Sequence, residues 1–268
     1  MPIWMLIGNG DSRGSMDMAA FKGFQKVKDH IPAGPVGLLI ESPGGLPTCA
    51  YYIARFFQRR SRQFVTIVPQ YAKSAGTLLA IAGSKIIMGR DAELGPLDVQ
   101  LYDAEKERYG SALNTVQSLE RLNAAALTAV DQTMQLLAIR TTKKMESILP
   151  NVFNYVSNLM KPLIEKIDSV DFSEKSRALK MAEEYAARLL KAHYPKVRAE
   201  QIAHQLVEGY PDHGFVIDAQ EAQHLLVDHR NEPLGLNVEL ASTETERIFH
   251  RLIPFLDELN VFGTLEEY

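Results

Sequence analysis

Cysteine is nearly absent from this chain. Cys49 stands alone among 268 residues, so no intramolecular disulfide can form, and the composition suits a reducing compartment. Long uncharged apolar runs are missing as well. The apolar start Met1-Pro2-Ile3-Trp4-Met5-Leu6-Ile7-Gly8 is too short to span a bilayer and has no basic leader, so a soluble, cytoplasmic chain without a transmembrane segment is expected. There is no excess of positive charge: 29 Lys and Arg face 33 Asp and Glu, and the net charge of −4 argues against a general binder of nucleic acid or membrane surfaces. Metal-ligand spacings, the dinucleotide glycine fingerprint, the phosphate loop and the Gly-x-Ser-x-Gly elbow are all lacking. The residues therefore imply neither a metal nor a cofactor.

What is present concentrates in residues 35–77. Two apolar runs, Val36-Gly37-Leu38-Leu39-Ile40 and Phe64-Val65-Thr66-Ile67-Val68, read as buried strands. Each leads into a small-residue turn, Ser42-Pro43-Gly44-Gly45 and Lys73-Ser74-Ala75-Gly76-Thr77, and each turn precedes a helical pattern. In such a unit the strands lie parallel and both turns emerge at the carboxyl edge of the sheet, where α/β proteins place ligands. Gly44 and Gly45 leave backbone N–H groups unshielded, and Ser74 offers a hydroxyl at a helix start. A hydroxyl beside free N–H groups is what acyl transfer requires. Serine is also a preferred N-cap, so capping is the competing role for Ser74.

The Ser-Pro-Gly-Gly turn, the later Ser-Ala-Gly-Thr turn and the stretch Glu93-Leu94-Gly95-Pro96-Leu97-Asp98 resemble the serine dehydrogenase proteinase family. That family is a distant relative of the Clp protease proteolytic subunit and signal peptide peptidase A. The resemblance is dense over residues 36–100 and returns weakly near 210–222 and 234–238. It implies an α/β fold of the ClpP/crotonase type, with a repeated β-β-α/βαβ core and a helical handle. It also implies a peptidase acting on peptides or unfolded chains within a homo-oligomer.

Along the rest of the chain, residues 16–29 read as a helix closed by His30, and residues 48–60 as another, with Arg55, Arg59, Arg60 and Arg62 forming a basic cluster on and beyond it. That cluster suits either a solvated face or an acidic partner. Cys49 falls with Ile53 and Phe57 among apolar helix positions, as an inert buried thiol would. Residues 85–89 form a third strand, and residues 112–168 are helical almost throughout, with Pro150 and Pro162 expected to break the run. Further helices are expected at 173–193, 197–208 and 219–226, with a closing helix around Ile248, Leu252, Phe255 and Leu256. We expect residues 1–268 to form one domain, with the helices of about 112–206 serving oligomerisation.

A serine hydroxyl needs a base, and a neutral imidazole suits that work when a carboxylate orients it. His213, in a loop before Gly214, is the candidate base and Asp98 the candidate orienting acid, with His229 as the competing loop histidine. Asp212 and Asp218 lie close to His213 in sequence, where adjacent residues seldom aim at one ring. The oxyanion would rest on N–H groups of Gly45, with Gly44 beside it, and Ala75. The order Ser, Asp, His differs from the Ser, His, Asp order of the Clp protease subunit. A Ser–Lys dyad, as in signal peptide peptidase A, is the alternative, with Lys73, Lys106, Lys143 and Lys144 as the lysines to consider. Two further alternatives stay open: a non-catalytic oligomeric scaffold of the same fold, and acyl-thioester chemistry of the crotonase kind.

Overall fold

The computed structural model of the chain describes residues 1–8, 16–103, 107–227, 233–256 and 261–264. They form two compact units, one of Met1–Val99 with Lys180–Tyr268 and one of Gln100–Leu179. In chain order the first unit opens with β1 (Ile3–Ile7), α1 (Met18–Lys26), β2 (Pro35–Glu41), α2 (Pro47–Arg60), β3 (Gln63–Val68) and β4 (Tyr71–Ala72). It continues through α3 (Ala75–Ala80), β5 (Lys85–Met88) and β6 (Glu93–Leu94). The second unit holds β7 (Gln100–Asp103), β8 (Arg108–Ser111), α4 (Ala112–Arg140) and α5 (Met145–Ile164). The residues of α6 (Ser169–Leu190) are shared between the units. The first unit then resumes with α7 (Lys196–Glu208), α8 (Ala219–Gln223), β9 (Leu226–Val227), β10 (Pro233–Leu234), β11 (Val238–Leu240), α9 (Thr243–Leu256) and β12 (Val261–Thr264).

The first unit is an α/β fold on a sheet ordered β11-β5-β3-β2-β1-β12. Every pairing is parallel except the antiparallel edge pair of β1 with β12. Parallel neighbours must be joined by crossovers, and α2 supplies the one between β2 and β3. Strand alternation divides the side chains between the two faces. Trp4 and Phe64 meet Phe24 of α1 and Phe57 of α2, with Phe57 stacked on Phe64 at 5.1 Å. Met5, Ile7, Leu39 and Ile67 take the other face, against Phe249 and Leu256 of α9. Burying one such large apolar side chain contributes about 1.5–3 kcal/mol, so these two layers hold the sheet whose edge carries the turns.

Several expected boundaries shift. The first helix starts at Met18, because the Asp17 carboxylate accepts from the N–H groups of Ala19 and Ala20 at 2.7 and 3.2 Å, and it ends at Lys26. His30 closes a short 3-10 turn, Lys28–His30, instead. The helix expected over 219–226 stops at Gln223, and Leu226 enters β9.

Pro150 and Pro162 do not break the helical run, since both lie inside α5. A stripe of Ile148, Val152, Val156 and Met160 packs on Leu122, Ala126, Val130 and Met134 of α4, and that packing outweighs the missing N–H groups. The break falls at residues 141–144, Thr-Thr-Lys-Lys, where no apolar side chain is available to pack. Of the helices expected at 112–206, α7 and the later part of α6 belong to the first unit. Among the described residues no helix is long and apolar enough to cross a membrane.

The α4–α5 hairpin leaves much apolar surface uncovered beside its packed stripe. Phe153, Leu159, Leu163 and Ile164 are exposed on α5, as are Leu127, Leu136 and Ile139 on α4. We propose that this surface is a contact between copies of the chain. Phe153→Glu combined with Leu159→Glu should lower the molar mass measured by light scattering after gel filtration. An unchanged mass in the double variant, or a monomeric wild type, would count against it.

Candidate active site

Ser74 sits between β4 and α3 at φ 51° and ψ −115°. Among the described non-glycine residues only Glu107 shares a positive φ. Holding an L-residue there costs on the order of 1–3 kcal/mol, and such outliers cluster at functional sites. The hydroxyl does not cap α3, which answers the competing role raised by the sequence. The backbone does the local work instead: Gly76 N–H donates to Lys73 O at 2.7 Å and Leu78 N–H to Ser74 O at 3.0 Å. No described hydrogen bond uses the N–H of Ala75.

The Gly-Gly turn lies against this serine. Ser42 N–H donates to Tyr71 O at 3.1 Å and Lys73 N–H to Ser42 O at 2.9 Å, a one-rung parallel bridge that joins the two turns. Gly44, at φ 120°, comes so close that a Cβ there would stand 3.0 Å from Lys73 O and from Ser74 Cβ, and 3.3 Å from Ala75 N. A side chain there would crowd these atoms and hold a strained φ, which glycine avoids. Gly44's own N–H is engaged, donating to Ser42 Oγ at 3.1 Å.

Gly45, at φ 142°, pairs with Met16. Met16 N–H donates to Gly44 O and Leu46 N–H donates to Met16 O, both at 2.8 Å. In a parallel rung the bonded residue reaches the neighbours on either side of its partner, which leaves Gly45's own N–H facing away from Met16. No described hydrogen bond takes that N–H.

Thr77 and Lys73 tie the loop carrying Asp98 to the serine turn. β6 pairs with β4 in parallel, and Lys73 Nζ reaches Glu93 at 2.8 Å and Leu94 O at 3.3 Å. The fully buried Thr77 hydroxyl donates to Ala72 O at 2.6 Å and accepts from Gly95 N–H at 3.0 Å. Asp98 is buried, 3 % exposed. The His213 loop joins the same edge through Leu94 and Ile217, which exchange N–H···O bonds of 2.9 and 3.1 Å.

His213 itself is half-buried in a turn shaped by Asp212, whose carboxylate accepts from Gly214 N–H at 2.7 Å. Its Nδ1 is buried with no hydrogen-bond partner, so Asp98 does not hold the ring at that atom in this structure. Asp218 caps α8 through Glu221 N–H at 2.8 Å.

The other described histidines have different surroundings. His193 Nε2 meets Ala82 O at 3.0 Å, His204 pairs with Glu183 at 3.3 Å, and His224 Nδ1 meets Gln220 O at 2.8 Å. His229 and Lys106 lie outside the described residues. Lys143 and Lys144 are exposed in the second unit. Cys49 is fully buried, and desolvation pushes its thiol up to about 11, which keeps it protonated at neutral pH. The rung at Ser42 and the Thr77 brace had no sequence signal beyond the small residues of the two turns.

The model of ClpP-like SDH-type serine proteinases matches residues 25–175, more than half of the chain, and the chain belongs to that family. The match contains Gly44, Gly45, Ser74, Ala75 and Asp98 and ends before His213. The chain is also similar to two uncharacterized proteins of Methanocaldococcus jannaschii, MJ0137 at 30% identity and MJ1495 at 27%, each over 194 residues. The alignments cover 72% of this chain and 53% and 51% of those proteins, so the chain spans about half the length of the curated relatives it matches.

The Thr77 brace yields a stability test. Thr77→Val keeps the shape but leaves Ala72 O and Gly95 N–H buried and unpaired, at about 1–3 kcal/mol for each group. Urea unfolding should show that loss, and Thr77→Ser should recover most of it. Wild-type stability in the valine variant would remove Thr77 as the link between the two segments.

Proposed function

We propose that the protein is a serine peptidase that hydrolyses peptide bonds of peptides or unfolded chains through an acyl-enzyme on Ser74. One observation carries this reading: Ser74 is held uncapped at positive φ against Gly44, and the N–H groups of Gly45 and Ala75, in the two turns that meet there, have no described partner. Membership of a family named for serine proteinases supports it.

In this reading His213 removes the Ser74 proton as the oxygen attacks the substrate carbonyl carbon. The charge that develops on the carbonyl oxygen is met by the N–H groups of Gly45 and Ala75, and losing one such donor costs on the order of 3 kcal/mol of barrier. His213 then returns the proton to the departing amine, and water releases the acyl group by the same route. Asp98 is assigned to orient the imidazole when substrate tightens the site, since catalytic hydrogen bonds are often looser without ligand. Gly44 contributes room for Ser74 rather than a donor, because Ser42 takes its N–H.

Among the lysines considered for a dyad, Lys73 is held by Glu93 and the Leu94 carbonyl. The scaffold alternative expects Ser74 to be tied up as a cap, and its hydroxyl is not.

Labelling with a fluorophosphonate probe tests the assignment. Wild-type protein should label, Ser74→Ala should not, and His213→Ala should label about 10²–10⁴ times more slowly. Undiminished labelling of the Ser74→Ala variant would overturn the nucleophile, and an unchanged rate in His213→Ala would overturn the base.

A further inference from the structure

A second feature lies between α1 and α2 and is independent of the Ser74 reading. The two helices border a cleft of about 480 Å³. Its walls carry Lys28, Arg55, Arg59 and Arg60, and no carboxylate is among its described lining residues. Among the described residues none of these four cations makes an ion pair. Aromatic rings lie between the charges: Phe21 stacks on Tyr52 at 5.4 Å, and Tyr52 is 45% exposed.

The ordinary account of basic residues at a helix end is that they complement the carbonyl end of the dipole, and it suffices for Arg59 and Arg60 alone. It does not account for Arg55, which lies further back in α2. Arg55 Nη1 donates to Gln58 Oε1 at 3.0 Å, and Gln58 is anchored in turn to Ala82 O at 2.8 Å and Leu189 O at 3.1 Å. The same guanidinium has a buried Nε without a partner. An unmade hydrogen bond at such a group is costly, and a carboxylate that pairs with the guanidinium would offset that cost through its charge. Arg60 is also pre-positioned, its guanidinium 4.1 Å over the Phe56 ring.

We infer that the cleft between α1 and α2 is a docking site for an acidic, aromatic-bearing peptide segment of a partner protein. Carboxylates would meet the arginine forks, and an aromatic side chain would cover Tyr52. A nucleic-acid strand would carry its charge well beyond the cleft, over a protein whose net charge is −4.

The test is fluorescence anisotropy on the full chain with a short fluorescein-labelled peptide of alternating Glu and Tyr. Its controls are a Lys–Tyr peptide and a single-stranded DNA oligonucleotide. Saturable binding of the Glu–Tyr peptide alone is expected, weakened about tenfold by Arg55→Gln with Arg59→Gln. Tyr52→Ala should weaken it too. Should loss of Arg55 unfold the chain, Arg59→Gln with Arg60→Gln, both exposed positions, takes its place with the same expected effect. No saturable binding, equal binding of the oligonucleotide, or wild-type affinity in the folded variants would overturn the inference.

Discussion

The candidate site depends on one rung of parallel backbone pairing between Ser42 and the Tyr71–Lys73 segment. β2 and β3 already lie side by side in register, so the segments leaving their ends start as neighbours. The rung then draws the turns together until Gly44 stands against Ser74 Cβ, where a side chain would be crowded and its φ of 120° strained. Backbone pairing suits this task because its geometry does not depend on rotamers. It fixes where Gly45 and Ala75 lie while leaving their own N–H groups without described partners.

Around that rung the first unit places further braces. Thr77 bonds both the strand before Ser74 and the loop that leads to Asp98. Lys73, next in sequence to the serine, ties to Glu93 and so belongs to the framework. Leu94 and Ile217 extend the same edge to the His213 loop. The Ser74 turn is thus held from several sides, which is what sustaining a residue at φ 51° requires. His213 Nδ1, at the end of this edge, is buried without a hydrogen-bond partner.

The central βαβ unit was legible in the amino-acid sequence because buried parallel strands read as continuous apolar runs, and β2 and β3 each carry one. The turns were legible because Gly44, Gly45 and Gly76 stand where a side chain would collide or strain. Less could be read where tertiary packing overrides local preference. Pro150 and Pro162 suggested breaks, yet the stripe from Ile148 to Met160 keeps α5 continuous. The two-residue strands β4 and β6 are too short to show periodicity, although they carry the edge on which the turns meet. The occupied N–H of Gly44 was equally hidden, since it depends on how Ser42 Oγ turns back on its own loop. Family likeness reached Ser74, both glycines and Asp98, while His213 lies beyond the matched residues.

The most direct test of the central claim is a crystal structure of the protein with a peptide boronate bound. A covalent bond from boron to Ser74 Oγ is expected, with one boronate oxygen about 3 Å from the N–H groups of both Gly45 and Ala75. A boronate attached to Ser74 whose oxygens avoid those groups, or one that settles elsewhere, would contradict it.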